Sequence, residues 1–546
     1  MSSRSLGHRA PLLWLVIPLI AGLAAARIFD LVPPPVLLAL AATAAAVAFA
    51  TIRNPGRPPF RTALVLSMFF AGMASYALHR PRIADWDFLP PREARVSIEV
   101  QRVFPQIEPH RASGIGRIVR AAAPLDELVN QRVYFSVTLP PDTDVPLRSA
   151  VISAGGLIAS LPRDPEPNSF DGYLADAGVN FRLSRARVLS EDRPPSAYYR
   201  FCARQAQRFS AILGTGVDTK RPELVGVLRA MLLGQSNELS DEQDTLFRQT
   251  GTMHVFSISG LHIAVIAGGL HAVLLLLRLP RVLQFAIGLV ALWLYVDITG
   301  AAPSAVRAFL MVALVQTSLV LRTPRNPIAA LTASALLVIL VAPLQVFSAS
   351  FQLSYGIVAA LLLLGLPLSD QLQEKLALFR DLPPVSWTWL HRTLDASWRA
   401  TLAALSLGIA ASLVSALAGV MFFELFTPGS LVANLWLIPA STAVILTGFL
   451  SLLCGLAGFT FGSEIANHAA VLLLWIIDQG VRLFAVIPGA WFDATFRIAW
   501  LGPASFALLL ATMAAGYAHG WRHWARGFWP PVAFVTLTLL LAVRFP

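Results

Sequence analysis

The chain has 546 residues, of which 56% are hydrophobic and only 13% charged, and its mean hydropathy is +0.64; soluble domains carry about a quarter charged residues, so a soluble globular protein is excluded. The formal net charge of +11 comes from 42 basic residues, all arginine except Lys220 and Lys375, many of them in short loops between apolar runs. That is the positive-inside pattern that orients a polytopic membrane protein, not by itself a nucleic-acid footprint, and two cysteines, Cys202 and Cys454, exclude a disulfide framework or a cysteine metal cluster.

Three apolar runs, near 10–29, 32–52 and 62–79, open the chain and define an N-terminal three-helix membrane domain over 1–82. The first has the outline of a signal peptide, with Arg4 and Arg9 before it and Ala24, Ala25 and Ala26 near its end. Two further runs follow at once, so it reads as an uncleaved helix. Arg4, Arg9, Arg53, Arg57 and Arg61 place the N-terminus and the second loop in the cytoplasm, and the third helix then delivers the chain outside. From 92 to 190 the pattern changes to five alternating segments, ARVSIEVQRV, GIGRIVRAA, RVYFSVTL, AVISAGGLIASL and NFRLSRARVL, separated by Pro, Gly, Asn and Asp. Period-two patterning over about 100 residues predicts a small Greek-key barrel of the OB type. Arginines barely outnumber acidic residues there and few aromatics fall on the strands, so two readings stand: a single-strand-binding barrel or a structural, partner-docking one.

Residues 196–250 read as amphipathic helices outside the membrane. Tyr198, Tyr199, Phe201 and Phe209 lie on one side, and Arg200, Arg204 and Arg208 form a basic ridge at every fourth position. Lipid headgroups and DNA phosphates both fit such a ridge. The membrane domain proper, 251–546, is predicted to hold spans near 255–277, 282–299, 303–321, 327–343, 350–367, 400–422, 430–453, 466–488, 499–518 and 529–544, some broken by Gly, Pro or polar residues. Arg278, Arg281, Arg322, Arg325, Arg522 and Arg526, with amphipathic helices in the loop 368–399, fall in the cytoplasm. Asp297, Glu424 and Asp493 fall outside. The expected fold class is an α-helical polytopic membrane protein of about thirteen transmembrane helices, with an inserted extracytoplasmic OB-like β domain, the N-terminus inside and the C-terminus outside.

Polar residues cluster where the fourth span begins: His254, Ser257, Ser259, Gly260 and His262 in GTMHVFSISGLH. Such groups at membrane depth face a hydrated cavity or one another. The two histidines lack an intervening HExxH glutamate, which argues against a metal site. The stretch LRAMLLGQSNELSDEQDTLFRQTGTMHVFSISGLH, Leu228 to His262, resembles the signature of the ComEC family, inner-membrane channels that pass single-stranded DNA inward during natural transformation. Gln235 stands where the family often has an acidic residue. APSAVRA around Arg307, Phe351-Gln352-Leu353-Ser354-Tyr355, and Asn434 with Pro439 resemble further family phrases in the same order, as far as about Gly455; PRDPEPNSFDGYL resembles one in the barrel. At Pro439 the expectation is a broken helix whose freed backbone groups Asn434 satisfies.

The resemblance implies a channel for single-stranded DNA into the cytoplasm of a bacterium, in the inner membrane, with no catalytic residues and no cofactor or metal. The path candidates are His254, Ser259, Gly260, His262, Arg307, Gln352, Ser354 and Asn434. Each has a plainer alternative: a structural knot for the histidines and serines, helix glue for Gln352 and Ser354, and a salt bridge to Asp297 for Arg307. The metal motif of the metallo-β-lactamase-like domain found in many ComEC proteins is absent up to Pro546, so two expectations stand: a separate nuclease as partner, or a truncated or divergent relative of the family. A DNA receptor and pilus components outside, a cytoplasmic DNA motor or helicase, the lipid bilayer and a second copy of the chain complete the expected partners. A small-molecule transporter or a membrane-embedded enzyme on the same spans is the alternative.

Overall fold

A computed structural model describes residues 10–545 apart from 30–31, 53–57, 81–82, 106–107, 109, 124, 142, 163–164, 167–168, 257, 324–325 and 522–526. Ser257 of the polar knot lies outside the described residues, as do Arg4, Arg9, Arg53, Arg57, Arg325, Arg522, Arg526, and Arg163, Asp164, Pro167 and Asn168 of the barrel phrase.

The first three runs form α1 (Leu13–Ile28), α2 (Pro34–Ala50) and α3 (Pro58–His79). A Cβ on Gly22 would lie 1.9 Å from the Phe69 carbonyl oxygen, and one on Gly72 2.3 Å from that of Leu19. Only glycine lets the backbones of α1 and α3 meet this closely. Five strands follow: β1 (Arg92–Val103), β2 (Arg111–Ala121), β3 (Arg132–Thr138), β4 (Val151–Ser160) and β5 (Phe181–Arg193), with the short α4 (Phe170–Asp176) between the last two. They close a barrel in the order β1-β2-β3-β5-β4, with β3 and β5 parallel and every other pair antiparallel. Alternation does the sorting. Val133, Phe135 and Val137 of β3 point into a core shared with Ile98, Ile118, Ile158 and Leu183. Trp86 plugs one end, edge-on to Phe181 at 5.4 Å.

Three helices lead from barrel to membrane domain: α5 (Ala197–Gly214), α6 (Pro222–Leu233) and α7 (Asp241–Gln249). Arg200, Arg204 and Arg208 are all exposed on α5, as the four-residue spacing predicts, while Cys202, Phe209 and Leu213 are buried. The expectation of amphipathic helices fails for α6. PELVGVLRAMLL is apolar on nearly every side: nine of its residues from Leu224 to Leu233 are buried, seven of them in one core with Leu437, Val444, Ala470 and Leu474. A helix hydrophobic all round needs cover all round.

Beyond it run α8 (Gly260–Leu276), α9 (Arg281–Ile298), α10 (Pro303–Val320), α11 (Pro327–Val341), α12 (Ala349–Ala360), α13 (Leu366–Lys375), α14 (Trp389–Phe423), α15 (Ser430–Leu456), α16 (Thr460–Ala485), α17 (Leu501–His519) and α18 (Trp529–Ala542). Each of the thirteen predicted runs falls on a helix. Among the described residues nine helices are long and apolar enough to cross a membrane, α12 and α13 counting as one through a π turn at Leu361–Gly365. The other four, α1, α2, α11 and α18, have 16, 17, 15 and 14 residues. At 1.5 Å per residue they fall short of ~30 Å of hydrocarbon, so length alone does not give thirteen spans. The helix α14 has 35 residues and absorbs the last third of the predicted loop 368–399, from Trp389 on. Pro439 does not break its helix: α15 runs unbroken for 27 residues around it.

Candidate functional site

The polar knot sits at a junction of four elements. Gly251 ends α7 with φ +69°, a left-handed conformation that favours glycine, and a Cβ there would lie 2.8 Å from Thr427 Oγ1. The chain then turns through Met253–Val255, where His254 is exposed and its Nδ1 lies 3.1 Å from the Gly251 carbonyl oxygen. The rings of Phe247 and Phe256 stack at 3.6 Å beneath this turn. Ser259 precedes α8, with its hydroxyl 2.9 Å from His262 Nδ1, which also accepts from the Ser259 backbone N–H at 3.3 Å. His262 is fully buried, and its Nε2 has the Val255 carbonyl as backbone neighbour but closes no hydrogen bond of sound geometry among the described residues. Gly260 is exposed, and a Cβ on it would meet only the Ala308 Cβ, at 3.9 Å. The start of α8 is therefore an ordinary capped helix end with open space beside it, not a close backbone crossing.

That open side faces α10. Ser304 donates its hydroxyl to the Ile258 carbonyl at 2.7 Å, and Arg307 lies one turn further along the same helix. Arg307 is 1% exposed. Its Nη2 donates to the Ser350 carbonyl at 2.8 Å and to Ser350 Oγ at 2.6 Å, at the start of α12. Nε and Nη1 meet no acceptor among the described residues, and the nearest ionisable neighbour is the phenol of Tyr355. The expected bridge to Asp297 is not formed. Asp297, in the last turn of α9, instead accepts from Arg148 of the barrel at 3.3 Å and from the Tyr198 hydroxyl of α5 at 2.7 Å. The reason is direction: α9 delivers its carboxylate toward the barrel and α5, whereas α10 turns Arg307 toward α12. Burial first, then the Asp297 carboxylate, pushes the Tyr198 phenol well above its usual range.

The remaining candidates divide. Gln352 is half-buried and donates to the Val346 carbonyl at 3.2 Å, which ties down the turn before α12. Ser354 is half-buried with no side-chain hydrogen bond among the described residues. Asn434 lies one turn beyond Ser430, which packs on Gly251, and its side-chain oxygen is buried with no donor among the described residues. It does not cap the backbone freed by Pro439. The structure thus brings the knot and Arg307 together across α8 and α10, adds Ser350 from α12, and places Asn434 on the far side of Gly251. Sequence reading missed Ser350, although it immediately precedes the Phe351-Gln352 phrase. It also missed Arg148 and Tyr198, which no local pattern links to Asp297.

A buried guanidinium with two idle donors is costly unless something anionic visits it, since an ion removed from water loses several kcal/mol of hydration. The arrangement can therefore hold an oxyanion transiently, with the Ser350 hydroxyl, which itself accepts from Arg307, as a further donor.

The sequence pattern of the competence protein family matches residues 231–523, past the Gly455 limit of the motif-based likeness. ComE operon protein 3 of Bacillus subtilis (strain 168) is 27% identical over 199 residues, which cover 36% of this chain. The chain spans only 25% of that relative's length in the match, and no solved structure matches. The family pattern covers more than half of the sequence and agrees with the ComEC resemblance of its motifs, so this multi-pass membrane protein belongs to the competence protein family.

Proposed function

We propose that the chain conducts single-stranded DNA through the inner membrane into the cytoplasm during natural transformation. The observation that carries the reading is Arg307: a buried cation, without a carboxylate partner among the described residues, beside a polar knot in the family's matched region. A polyanion crossing ~30 Å of hydrocarbon needs spaced donors and a positive charge that attracts phosphate without holding it. Among the described residues two of the guanidinium nitrogens meet no acceptor, and its side-chain neighbours are the Ser350 hydroxyl and the Tyr355 phenol, which suits passing contact. On this reading the chain carries no catalysis. The inside-negative potential opposes entry of a polyanion, so a cytoplasmic motor or helicase supplies the work. A DNA receptor and pilus components deliver the strand, and a nuclease removes its complement.

In the same reading all thirteen apolar helices cross or enter the bilayer, the N-terminus is cytoplasmic and the C-terminus and barrel are outside. The strand order β1-β2-β3-β5-β4, with the parallel β3–β5 pair, supports an OB-type barrel; its helix lies between β4 and β5. A deletion strain tests the whole. Transformation should fall to background while labelled DNA still reaches the cell surface. Undiminished transfer of donor DNA into a protected cytoplasmic state would remove the channel reading.

A further inference from the structure

Four aromatic rings gather on one flank of the barrel although few aromatics lie on its strands. Phe104 follows β1, Tyr134 is on β3, and Phe170 and Tyr173 are on the first turn of α4. Phe104 and Tyr134 are 6.1 Å apart between centroids, Tyr134 and Phe170 5.1 Å, and Phe170 and Tyr173 6.1 Å with planes only 20° apart. The inner pair is half-buried over Ile115, Leu161, Leu174 and Val179, which fixes it in place. The outer pair is not covered: Phe170 is 47% and Tyr173 39% exposed. Two arginines frame the rings. Arg182 lies 5.8 Å from the Tyr134 centroid and 6.0 Å from that of Phe170, and it is paired with Asp171. Arg102 lies 5.5 Å from the Phe104 centroid and donates to the Tyr173 hydroxyl at 2.9 Å, with no carboxylate partner among the described residues.

We propose that this flank is a base-stacking platform for single-stranded DNA, with Phe170 and Tyr173 taking bases and Arg102 a backbone phosphate. Three features select that occupant. Rigid exposed rings give every base a π-face to stack on, whatever the sequence. A cation lies at the edge of the rings and is not neutralised by a carboxylate. The cluster also spans the first and last connections of a five-stranded barrel, β1–β2 and β4–β5, the side on which such barrels take oligonucleotides. The far end of α4 is already occupied, since Asp176 pairs with Arg27 at 3.1 Å and Gly178 packs on Leu344. The choice of DNA as the nucleic acid rests on the uptake reading above.

The test uses the purified full chain in lipid nanodiscs, a fluorescein-labelled twelve-nucleotide oligo(dT) and anisotropy at low and high salt. Phe170→Ala with Tyr173→Ala should weaken binding by about tenfold per ring at both salts. Arg102→Gln should cost less, and its effect should shrink as salt rises. The ring-preserving pair Phe170→Tyr with Tyr173→Phe should bind as the wild type does. An oligonucleotide carrying 5-iodouracil should crosslink to Phe170 or Tyr173 in the unmodified chain, a readout independent of any variant's folding. Unchanged affinity of the double alanine variant, or adducts that map only elsewhere, overturns the platform and leaves the rings as a lipid-facing anchor. If that happens while a deletion strain still fails to import DNA, the channel reading survives. If the platform binds but the deletion strain imports normally, only the channel reading falls.

Discussion

Removing Arg307 is expected to separate stability from transport. Its guanidinium is buried with two nitrogens idle, so Arg307→Met takes away an expensive charge and fills the space with an apolar chain. The variant should be inserted normally and unfold in detergent at the same temperature as the wild type or a few degrees higher, while transformation drops by orders of magnitude. Because Asp297 is engaged by Arg148 and Tyr198, Asp297→Asn should not restore transfer. Normal transformation in Arg307→Met would show that the buried cation has no part in the path. Two glycines of the knot are expected to behave oppositely. Gly251→Ala forces a side chain into φ +69° and against Thr427, and should destabilise the junction by about 1–3 kcal/mol. Gly260→Ala meets only Ala308 at 3.9 Å and should unfold as the wild type does. Equal thermal shifts for the two in a detergent unfolding series would mean that the α8 start is tighter than it looks.

Three elements meet at Asp297, and their union is testable on its own. The carboxylate joins a barrel loop through Arg148, α5 through Tyr198 and the end of α9, and Arg148 also lies 4.9 Å from the Tyr199 ring centroid. Tyr198, raised by burial and then by Asp297, is protonated well past the pH at which exposed tyrosines ionise. A raised phenol favours the neutral form, so the clamp keeps full strength below about pH 10 and weakens above it. In an ultraviolet titration, the tyrosine step lost in Tyr198→Phe should lie above the ordinary tyrosine range and move down in Asp297→Asn. An unshifted step would separate Tyr198 from the carboxylate. This element also shows what could and could not be read from sequence. Alternating segments located all five strands, which share one small core, although β4 buries four successive residues from Val151 to Ala154. Apolar runs located each of the nine described helices long and apolar enough to cross a membrane, because a side chain facing lipid must be as apolar as one facing the core. Arg148 and Tyr198 are 149 and 99 residues from Asp297, so only folding brings them together. The start of α14 was hidden differently: His391, Arg392, Asp395 and Arg399 read as a separate amphipathic helix in the loop 368–399, yet Asp395 and Arg399 pair at 2.6 Å on a helix continuous with the apolar run that follows.

At the scale of the whole molecule, orientation makes the sharpest prediction. Reporter fusions within the barrel and after α18 should register outside the cytoplasm, and those between α13 and α14 inside it. A cytoplasmic signal from the barrel would reverse the direction of the channel. The buried α6 adds a consequence for biogenesis. The chain around it is held by partners made much later: Asn467 donates to the carbonyls of Ile212 and Thr215, 255 and 252 residues earlier, at 2.8 and 3.0 Å. A Cβ on Gly448 would fall 2.2 Å from Leu232, and Arg482 reaches Glu242 at 2.5 Å. When α6 leaves the ribosome, none of these partners has been synthesised. Long-range closure of this kind is slow and leaves apolar surface open meanwhile. The nascent N-terminal half therefore waits, with an apolar helix uncovered, until α15 and α16 are inserted, and assembly of this protein is a race between translation of its last third and the proteases that patrol unfinished membrane chains.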